Sequence, residues 1–421
     1  MFKLLTILWN SFKMALGELK NNKLRSGLSL LGVTFGIFCV IGVLATVDSL
    51  QQKVQGDLKS LGNNSVWLDK WEYGQGGGGS YPWWKYINRP TPKRSEVEMI
   101  KERSSLAEYV AHFVSSSATL NYKDFDLSGV SVYGITEDFN KIQTIDIVEG
   151  GRYLSEADFK RGTAVAIIGN QVAEDLIGNA QTAAGKEISV NGRRVTIVGV
   201  IQKQGQSFVG GFDYDNSVIL SYQFYASMFN VNQGFGGNNL IMIKAKDGIP
   251  SSALVEDLRG AMRQIRKLSP TQEDNFALND INMFSEQADS LFGVVNLAGW
   301  VIAGLSLIVG GFGVANIMFV TVRERTSQIG LKKAIGAKRS TILIEFLLES
   351  AFLCIIGGLV GLFFVQILAL ILSSVLPFPI FIGGRILLTA LIICVILGVI
   401  SGIIPAFIAA KMNPVKAIRT T

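Results

Sequence analysis

The sequence predicts a membrane protein with four transmembrane α-helices and a large α+β domain inserted between the first helix and the second. Three observations support this fold class. Apolar residues make up 49% of the 421 residues and charged residues only 17%, whereas about 25% of residues in soluble domains are charged. The apolar residues are concentrated in four runs, each of which reaches the roughly 20 residues needed to cross about 30 Å of hydrocarbon. A long segment of mixed composition separates the first run from the second.

These runs define the predicted boundaries. The spans are residues 28–47, 294–319, 346–376 and 386–410; the segments around them are a helix at 1–20, the inserted domain at 48–290, the bridge at 320–345 and a tail at 411–421. The first run begins only at Leu28 and no clear small-residue cleavage site follows it, so we interpret it as a retained helix and not as a signal peptide. The polar stretch from Gln51 to Leu61 is expected to continue this helix beyond the span.

Lysine and arginine residues near the spans predict the orientation, because such residues stay on the cytoplasmic side. They are concentrated before the first span, in the bridge and in the tail. These segments, and with them both termini, are therefore predicted to be cytoplasmic, and the inserted domain to lie outside. That domain carries 24 Lys and Arg against 29 Asp and Glu. The net charge of +6 therefore reflects membrane topology, and the lipid bilayer, not nucleic acid, is the predicted partner.

Residues 1–20 have apolar side chains at every third or fourth position, a pattern typical of an amphipathic helix in the membrane interface. A helix packed on a soluble partner is the alternative. Within the first span, Gly32 and Gly36 lie four residues apart and therefore on one helix face. We expect close helix packing there, either within the bundle or between two copies of the chain.

The inserted domain shows a mixed α+β pattern. A break near residues 205–215 would divide it into two lobes. Asn191 and Gly192, between two β-rich runs, predict a tight hairpin. Ser95 and Glu98 have the spacing of a capping box at a helix start. Residues 74–80 are nearly all glycine, and the aromatic residues after them include Trp83 and Trp84. This pair is predicted to contact a substrate or partner, to anchor the loop, or to touch the membrane surface.

Nothing in the sequence indicates an enzyme. His112, the one histidine, lies in a predicted apolar strand and is interpreted as a packed residue. The cysteines Cys39, Cys354 and Cys394 all lie in apolar runs, so neither a disulfide framework nor a metal site is indicated. The sequence has no HExxH or GxSxG motif. We therefore predict a non-catalytic chain with no cofactor or metal of its own.

The bridge contains two glycines around the stretch from Leu331 to Ile335, which predicts a small rigid knob for a soluble partner. Gly330 and Gly336 do not form a phosphate-binding loop, because five residues separate them and Ala337 precedes Lys338. Glu345 and Glu349 share one helix face at the start of the third span. They are expected either to pair with bridge cations or to be solvated.

A family resemblance emerges from three short stretches. The bridge and its flanks resemble the signature of FtsX-like ABC permeases of the MacB-like branch, as a subunit without a fused ATPase domain. The residues that carry it are Asn316, Ile317, Met318, Val322, Glu324, Arg325, Thr326, Ile329, Gly330, Lys333, Ala334, Gly336, Ala337, Ile342, Phe346, Leu347 and Glu349. Residues 22–25 with Leu31 and Gly32 resemble the start of the family's first helix, and Asn413, Pro414, Val415 and Ala417 its C-terminal end.

The resemblance implies a homodimeric or heterodimeric permease of the bacterial inner membrane. It implies that ATP and Mg²⁺ bind to a separate ABC ATPase subunit, that the bridge docks on this ATPase, and that the periplasmic domain moves by mechanotransmission. The implied docking residues are Glu324, Arg325, Gln328, Ile329, Gly330, Lys333, Ala334, Gly336 and Ala337. Gln328 departs from the family, which has an acidic residue before the Ile-Gly pair.

Efflux of a periplasmic substrate is the leading implied function, with a periplasmic adaptor and an outer-membrane channel as further partners. A regulatory platform for a periplasmic hydrolase and a lipoprotein-releasing permease are the alternatives. A lipoprotein-releasing permease has a similar topology, whereas the regulatory branch has a smaller external domain. The sequence leaves the substrate open.

Overall fold

The computed structural model describes residues 17, 23–73, 82–205, 211–231, 238–376 and 378–419. The predicted helix at 1–20, apart from Gly17, and the glycine-rich segment at 74–80 lie outside the described residues. The chain divides into two compact units. The membrane unit comprises Met1–Gln52 and Ser290–Thr421, and the inserted domain comprises Lys53–Asp289.

Helices and strands of the described residues follow in chain order. The helices are α1 Lys23–Ser60, α2 Trp83–Tyr86, α3 Arg94–Arg103, α4 Phe139–Ile142, α5 Glu156–Arg161, α6 Asn170–Ile177, α7 Tyr222–Met228, α8 Ser251–Ile265, α9 Ile281–Glu324, α10 Thr326–Ala334, α11 Arg339–Val375, α12 Gly384–Lys411 and α13 Pro414–Arg419. The strands are β1 Ser65–Asp69, β2 Ala107–Tyr122, β3 Phe125–Ile135, β4 Val165–Ile168, β5 Glu187–Val190, β6 Arg193–Val200, β7 Ser217–Ser221, β8 Asn239–Ala245 and β9 Ala277–Asp280.

Helices α1, α9, α11 and α12 are long and apolar enough to cross a membrane, which confirms the four predicted spans within the described part of the chain. Two of them are much longer than the apolar runs. Helix α9 has 44 residues and α1 has 38, because the helical hydrogen-bond ladder continues into the polar stretches that adjoin each run. The predicted extension of the first helix from Gln51 is therefore confirmed.

Glycines allow the helices of the membrane unit to approach backbone to backbone. A Cβ atom on Gly36 of α1 would lie 2.8 Å from the carbonyl oxygen of Ser306 in α9. One on Gly398 of α12 would lie 2.5 Å from Cα of Ala351 in α11. A Cβ atom on Gly32 would meet nothing within 4 Å. A bilayer provides no hydrophobic driving force between helices, so close van der Waals packing at small residues stabilises their association.

The inserted domain is built on one mixed nine-stranded sheet, in the order β3-β7-β4-β6-β5-β2-β8-β1-β9. An additional pairing of β2 with β3 joins six of these strands into a closed ring. Strands on both sides of residues 205–215 belong to this sheet. The predicted hairpin is confirmed: Asn191 and Gly192, with φ angles of 47° and 83°, connect the antiparallel strands β5 and β6.

Two local predictions in this domain are corrected or refined. The helix predicted to start at Ser95 begins at Arg94, and the carboxylate of Glu96, not Glu98, accepts the backbone N–H of Lys93 at 2.9 Å. Glu96 instead of Glu98 reaches back because it is the third residue after the observed cap. His112 is 1% exposed in β2, and its Nε2 lies 2.7 Å from Oδ1 of Asn239. The prediction of a packed histidine is confirmed.

Candidate functional site

The bridge begins where α9 stops at Glu324 and α10 starts at Thr326. The hydroxyl of Thr326 donates to the carbonyl oxygens of Val322 at 3.0 Å and Arg323 at 2.8 Å. These bonds satisfy carbonyls that the end of α9 leaves without helical partners. The second helix therefore starts in a defined direction, directly after the span.

Gly336 ends α10. Its φ angle is +100°, its N–H donates to the Lys333 carbonyl, and the N–H of Ala337 donates to the Lys332 carbonyl, both at 3.0 Å. This pair of bonds is a Schellman motif, in which the residue with positive φ is usually glycine because it has no Cβ. The second bridge glycine thus fixes the helix end, and the predicted rigid knob has a structural basis.

Two ion pairs connect the bridge to α11. Arg325 Nη1 lies 3.2 Å from Glu349 Oε1, with side chains 18% and 1% exposed. Lys332 Nζ lies 2.6 Å from Glu345 Oε1, with side chains 49% and 16% exposed. Of the two readings of Glu345 and Glu349, pairing with bridge cations is confirmed. The Arg325 pair is the stronger constraint, because a buried charge that loses its partner is costly.

A third connection runs from the bridge to α12. Lys333 Nζ donates to the carbonyl oxygens of Ala410 and Met412, both at 2.6 Å. A cation at a helix C-terminus satisfies free carbonyls and interacts favourably with the helix dipole. Burial lowers the pKa of the Lys333 ammonium, and the nearby charge of Arg339 lowers it further. Helix α13, which starts after this point, packs on α10.

The docking residues implied by the family occupy three environments. Glu324, Gln328, Ala334 and Gly336 are exposed; Arg325, Lys333 and Ala337 are half-buried; Ile329 and Gly330 are buried. Ile329 belongs to the apolar core of the membrane unit. The same helix therefore has one face packed on the spans and one face open.

Two exposed apolar side chains on this open face were not among the implied docking residues. Leu331 is 57% exposed and Ile335 is 79% exposed. Val415 on α13 is 64% exposed as well. The sequence signal for the first two was their position inside the predicted knob, but only the helix geometry shows which side chains point outward.

Trp83 and Trp84 belong to the inserted domain. They are 55% and 57% exposed on α2, with ring centroids 6.0 Å apart and planes at 80°. Tyr86, 2% exposed, anchors this short helix through its hydroxyl, 3.2 Å from Glu72 Oε2. The structure thus places both tryptophans on a fixed surface, and their role in binding stays a prediction.

The bridge does not have the geometry of a phosphate-binding loop. Gly330 lies inside α10 and not in a loop after a strand, as a phosphate-binding loop would require. Among the residues that the structure describes, no group of three or more His, Cys, Asp or Glu side chains could hold a metal ion.

Comparison with known families defines the class of protein. Residues 26–261 match the MacB-like periplasmic core domain, and residues 300–414 match the FtsX-like permease C-terminal domain. The chain therefore belongs to the MacB-like family of FtsX-like ABC transporter permeases.

Relatives are similar over nearly the whole chain. The macrolide export ATP-binding/permease protein MacB of Neisseria gonorrhoeae is 31% identical over 414 residues, which cover 97% of this chain and 60% of the relative. The uncharacterized ABC transporter permease YvrN of Bacillus subtilis is 29% identical over 408 residues, covering 95% of this chain and 96% of the relative. YknZ, an uncharacterized ABC transporter permease from the same organism, is 28% identical over 427 residues, covering 98% and 99%.

Proposed function

We propose that this chain is a permease subunit that couples ATP hydrolysis on a separate ABC ATPase subunit to movement of its spans and inserted domain. ATP and Mg²⁺ bind to the ATPase in this mechanism, and the permease has no catalytic role. The observation that carries the proposal is the two-sided bridge helix α10. Its inner face is fixed to α11 and α12, and its outer face exposes Leu331 and Ile335.

The outer face is the docking surface in this mechanism. Leu331, Ala334 and Ile335 form an apolar tip, and exposed apolar groups of this kind mark protein interaction sites. Lys338, which is also exposed and follows Ile335 by three residues, adds a positive charge beside the tip. The buried residues Ile329 and Gly330 then act by positioning the helix, and not through direct contact with the ATPase.

The inner face transmits the movement. A force on α10 reaches the third span through the Arg325–Glu349 pair and the fourth span through the Lys333 ammonium. Rigid, bonded connections pass a displacement on, whereas a flexible loop would absorb it. This is the basis for mechanotransmission as the coupling mode.

The transported substrate is a periplasmic molecule in this proposal, and the route is efflux or extrusion with an adaptor and an outer-membrane channel. The Neisseria relative, a macrolide export protein, supports this direction. We place the chain in the inner membrane as one of two permease copies, with both termini in the cytoplasm. The packing of α13 on α10 keeps the C-terminal segment beside the basic bridge, as the charge rule for cytoplasmic segments expects.

The substitution Ala334→Glu tests the docking surface, because Ala334 is exposed and a carboxylate there would disturb an apolar contact without disturbing the fold. We expect at least a tenfold loss of co-purification with the cognate ATPase subunit, and loss of ATPase stimulation in reconstituted vesicles. Ala334→Ser, which keeps the small size, is the matched control and should behave as wild type. Wild-type coupling in a correctly inserted Ala334→Glu protein would contradict the proposal.

A further inference from the structure

The inserted domain contains a cavity of about 300 Å³ that has no part in the proposed coupling mechanism. Its floor is formed by side chains that are almost fully buried: Leu58, Leu240 and Ile281 are 2%, 2% and 3% exposed. Gly211 and Asn238, which line its mouth, are exposed. The cavity therefore extends from the surface into the core of the domain.

Aromatic rings form two of its walls. Trp67 and Phe212 pack with ring centroids 5.4 Å apart, and Tyr73 and Phe284 with centroids 6.4 Å apart. All four line the cavity. Pockets for small molecules are typically lined by such apolar and aromatic groups with few polar ones, and they measure about 300–1,000 Å³.

The polarity of the lining restricts the ligand. Tyr73 has the one ionisable side chain among the described residues that line the cavity, and its hydroxyl already donates to Asp69 Oδ2. The indole N–H of Trp67 is buried and has no hydrogen-bond partner in the described structure. A buried donor without a partner is unfavourable, but this nitrogen has almost no accessible surface, so the lining offers a ligand mainly aromatic and aliphatic groups.

Gly211 keeps the mouth open. Its φ angle is +117°, which disfavours any residue with a side chain. A Cβ atom there would also lie 2.6 Å from Cδ2 of Leu61, another lining residue. A larger residue at this position would therefore strain the backbone and push Leu61 into the cavity.

We propose that this cavity is a binding site for a neutral, largely apolar small molecule. A charged ligand would find no counter-ion among the described lining residues, and a macromolecule could reach only the mouth. Leu58 belongs to α1 and Phe284 to α9, the helices that continue into the first and second spans. A bound molecule would thus contact both of these helices.

Benzophenone is a suitable probe, because it is neutral and largely apolar and inserts into nearby C–H bonds when irradiated. The full chain in lipid nanodiscs would be irradiated with benzophenone below saturation, and labelled residues would be mapped by peptide mass spectrometry. We expect labelling at lining residues such as Leu58, Leu240 and Phe284. Mapping by residue separates this signal from labelling of the spans by probe dissolved in lipid.

Two substitutions decide the outcome. Leu61→Trp fills the cavity and should reduce labelling of the lining at least fivefold, whereas Leu127→Trp, at a half-buried position outside the lining, should not. Gly211→Leu places a side chain against Leu61 at the exposed mouth and should also reduce labelling of the lining at least fivefold.

Equal labelling of the lining in wild type and Leu61→Trp would overturn the proposal, and so would full labelling of Gly211→Leu. The second variant keeps the test decisive if the first fails to fold. No ATPase takes part in the measurement, so its failure is independent of the proposed coupling function.

Discussion

The membrane unit and the inserted domain hold themselves together in opposite ways. In the inserted domain, large apolar side chains such as Ile167 and Leu258 are fully buried, and the sheet is the frame. In the membrane unit, Phe312 and Val375 are 72% and 79% exposed, while glycines bring the helix backbones together. The solvents differ: water drives side chains inward, but lipid is as apolar as they are. We therefore expect the two units to respond differently to the same kinds of change.

The largest effect is expected from breaking the buried ion pair of the membrane unit. Glu349→Gln leaves Arg325 without its counter-charge in a site where Glu349 is 1% exposed. Removing one member of a buried pair typically costs about 3–5 kcal/mol. The free energy of unfolding, measured by denaturant titration in detergent, should fall by this amount.

Glu345→Gln is the matched control. The Lys332–Glu345 pair is more exposed, at 49% and 16%, and surface pairs contribute about 0–1 kcal/mol. Equal losses for the two variants would contradict the idea that burial, and not charge alone, makes the Arg325 connection strong.

A pH effect of about 3 kcal/mol is expected in the inserted domain. Burial lowers the pKa of His112 from its ordinary value of 6.5 to about 4. Between these values the unfolded chain binds the proton and the folded chain does not, so the free energy of unfolding decreases as pH falls from 6.5 to 4. Above pH 6.5 the histidine has no effect, because it is neutral in both states.

Pulse proteolysis of the inserted domain at several pH values, in the full chain, measures this effect. His112→Gln keeps a donor for Asn239 but cannot titrate, so its pH dependence should be shallower over the same interval. Identical pH profiles for the two proteins would show that His112 does not contribute. Proteolysis of the membrane-spanning region, measured at the same pH values, serves as an internal comparison for the inserted domain.

A smaller effect, about 1–3 kcal/mol, is expected from adding one methyl group between two membrane helices. Gly398→Ala would place a Cβ atom 2.5 Å from Cα of Ala351, and backbone atoms cannot move aside cheaply; overpacking of this kind costs about 1–3 kcal/mol. Gly42→Ala, where a Cβ atom meets nothing within 4 Å, should be neutral. Denaturant titration in detergent compares the two, and equal stability would mean that close approach is not what holds α11 and α12 together.

The sequence predicted those features that local pattern decides. Apolar runs identified the four spans, and Asn191 with Gly192 identified a hairpin, because length and turn chemistry are local properties. Pairings between distant segments were not predictable: the closure of β2 on β3 and β5 depends on register, which alternation alone does not specify.

The sequence indicated where the candidate site lies along the chain, but not which face of its helix is exposed. The glycines and cations of the bridge indicated a rigid basic knob, and Gly336 has the role that such a position suggests. The bonds from Lys333 to the carbonyls of Ala410 and Met412 join residues more than 70 positions apart. The spacing of residues along one helix does not indicate a contact with so distant a segment. The buried and exposed faces of α10 are therefore known only from the structure.

The smallest effect is expected at Gln328. Gln328 is exposed and lines a small cavity with Arg325, Lys332, Glu345 and Glu349. Gln328→Glu would add a third carboxylate beside two cations, so attraction and repulsion nearly cancel. We expect the free energy of unfolding to change by less than about 1 kcal/mol.

ATPase stimulation by Gln328→Glu should also stay within about twofold of wild type, because the tip of the proposed docking surface lies at Leu331 and Ile335 and not at Gln328. Gln328→Ala, which removes the polar group without adding charge, is the matched control. If the glutamate alone changed stimulation tenfold, about 1.4 kcal/mol, then residue 328 would have to contact the ATPase directly. The docking surface would in that case extend from the apolar tip to the polar start of α10.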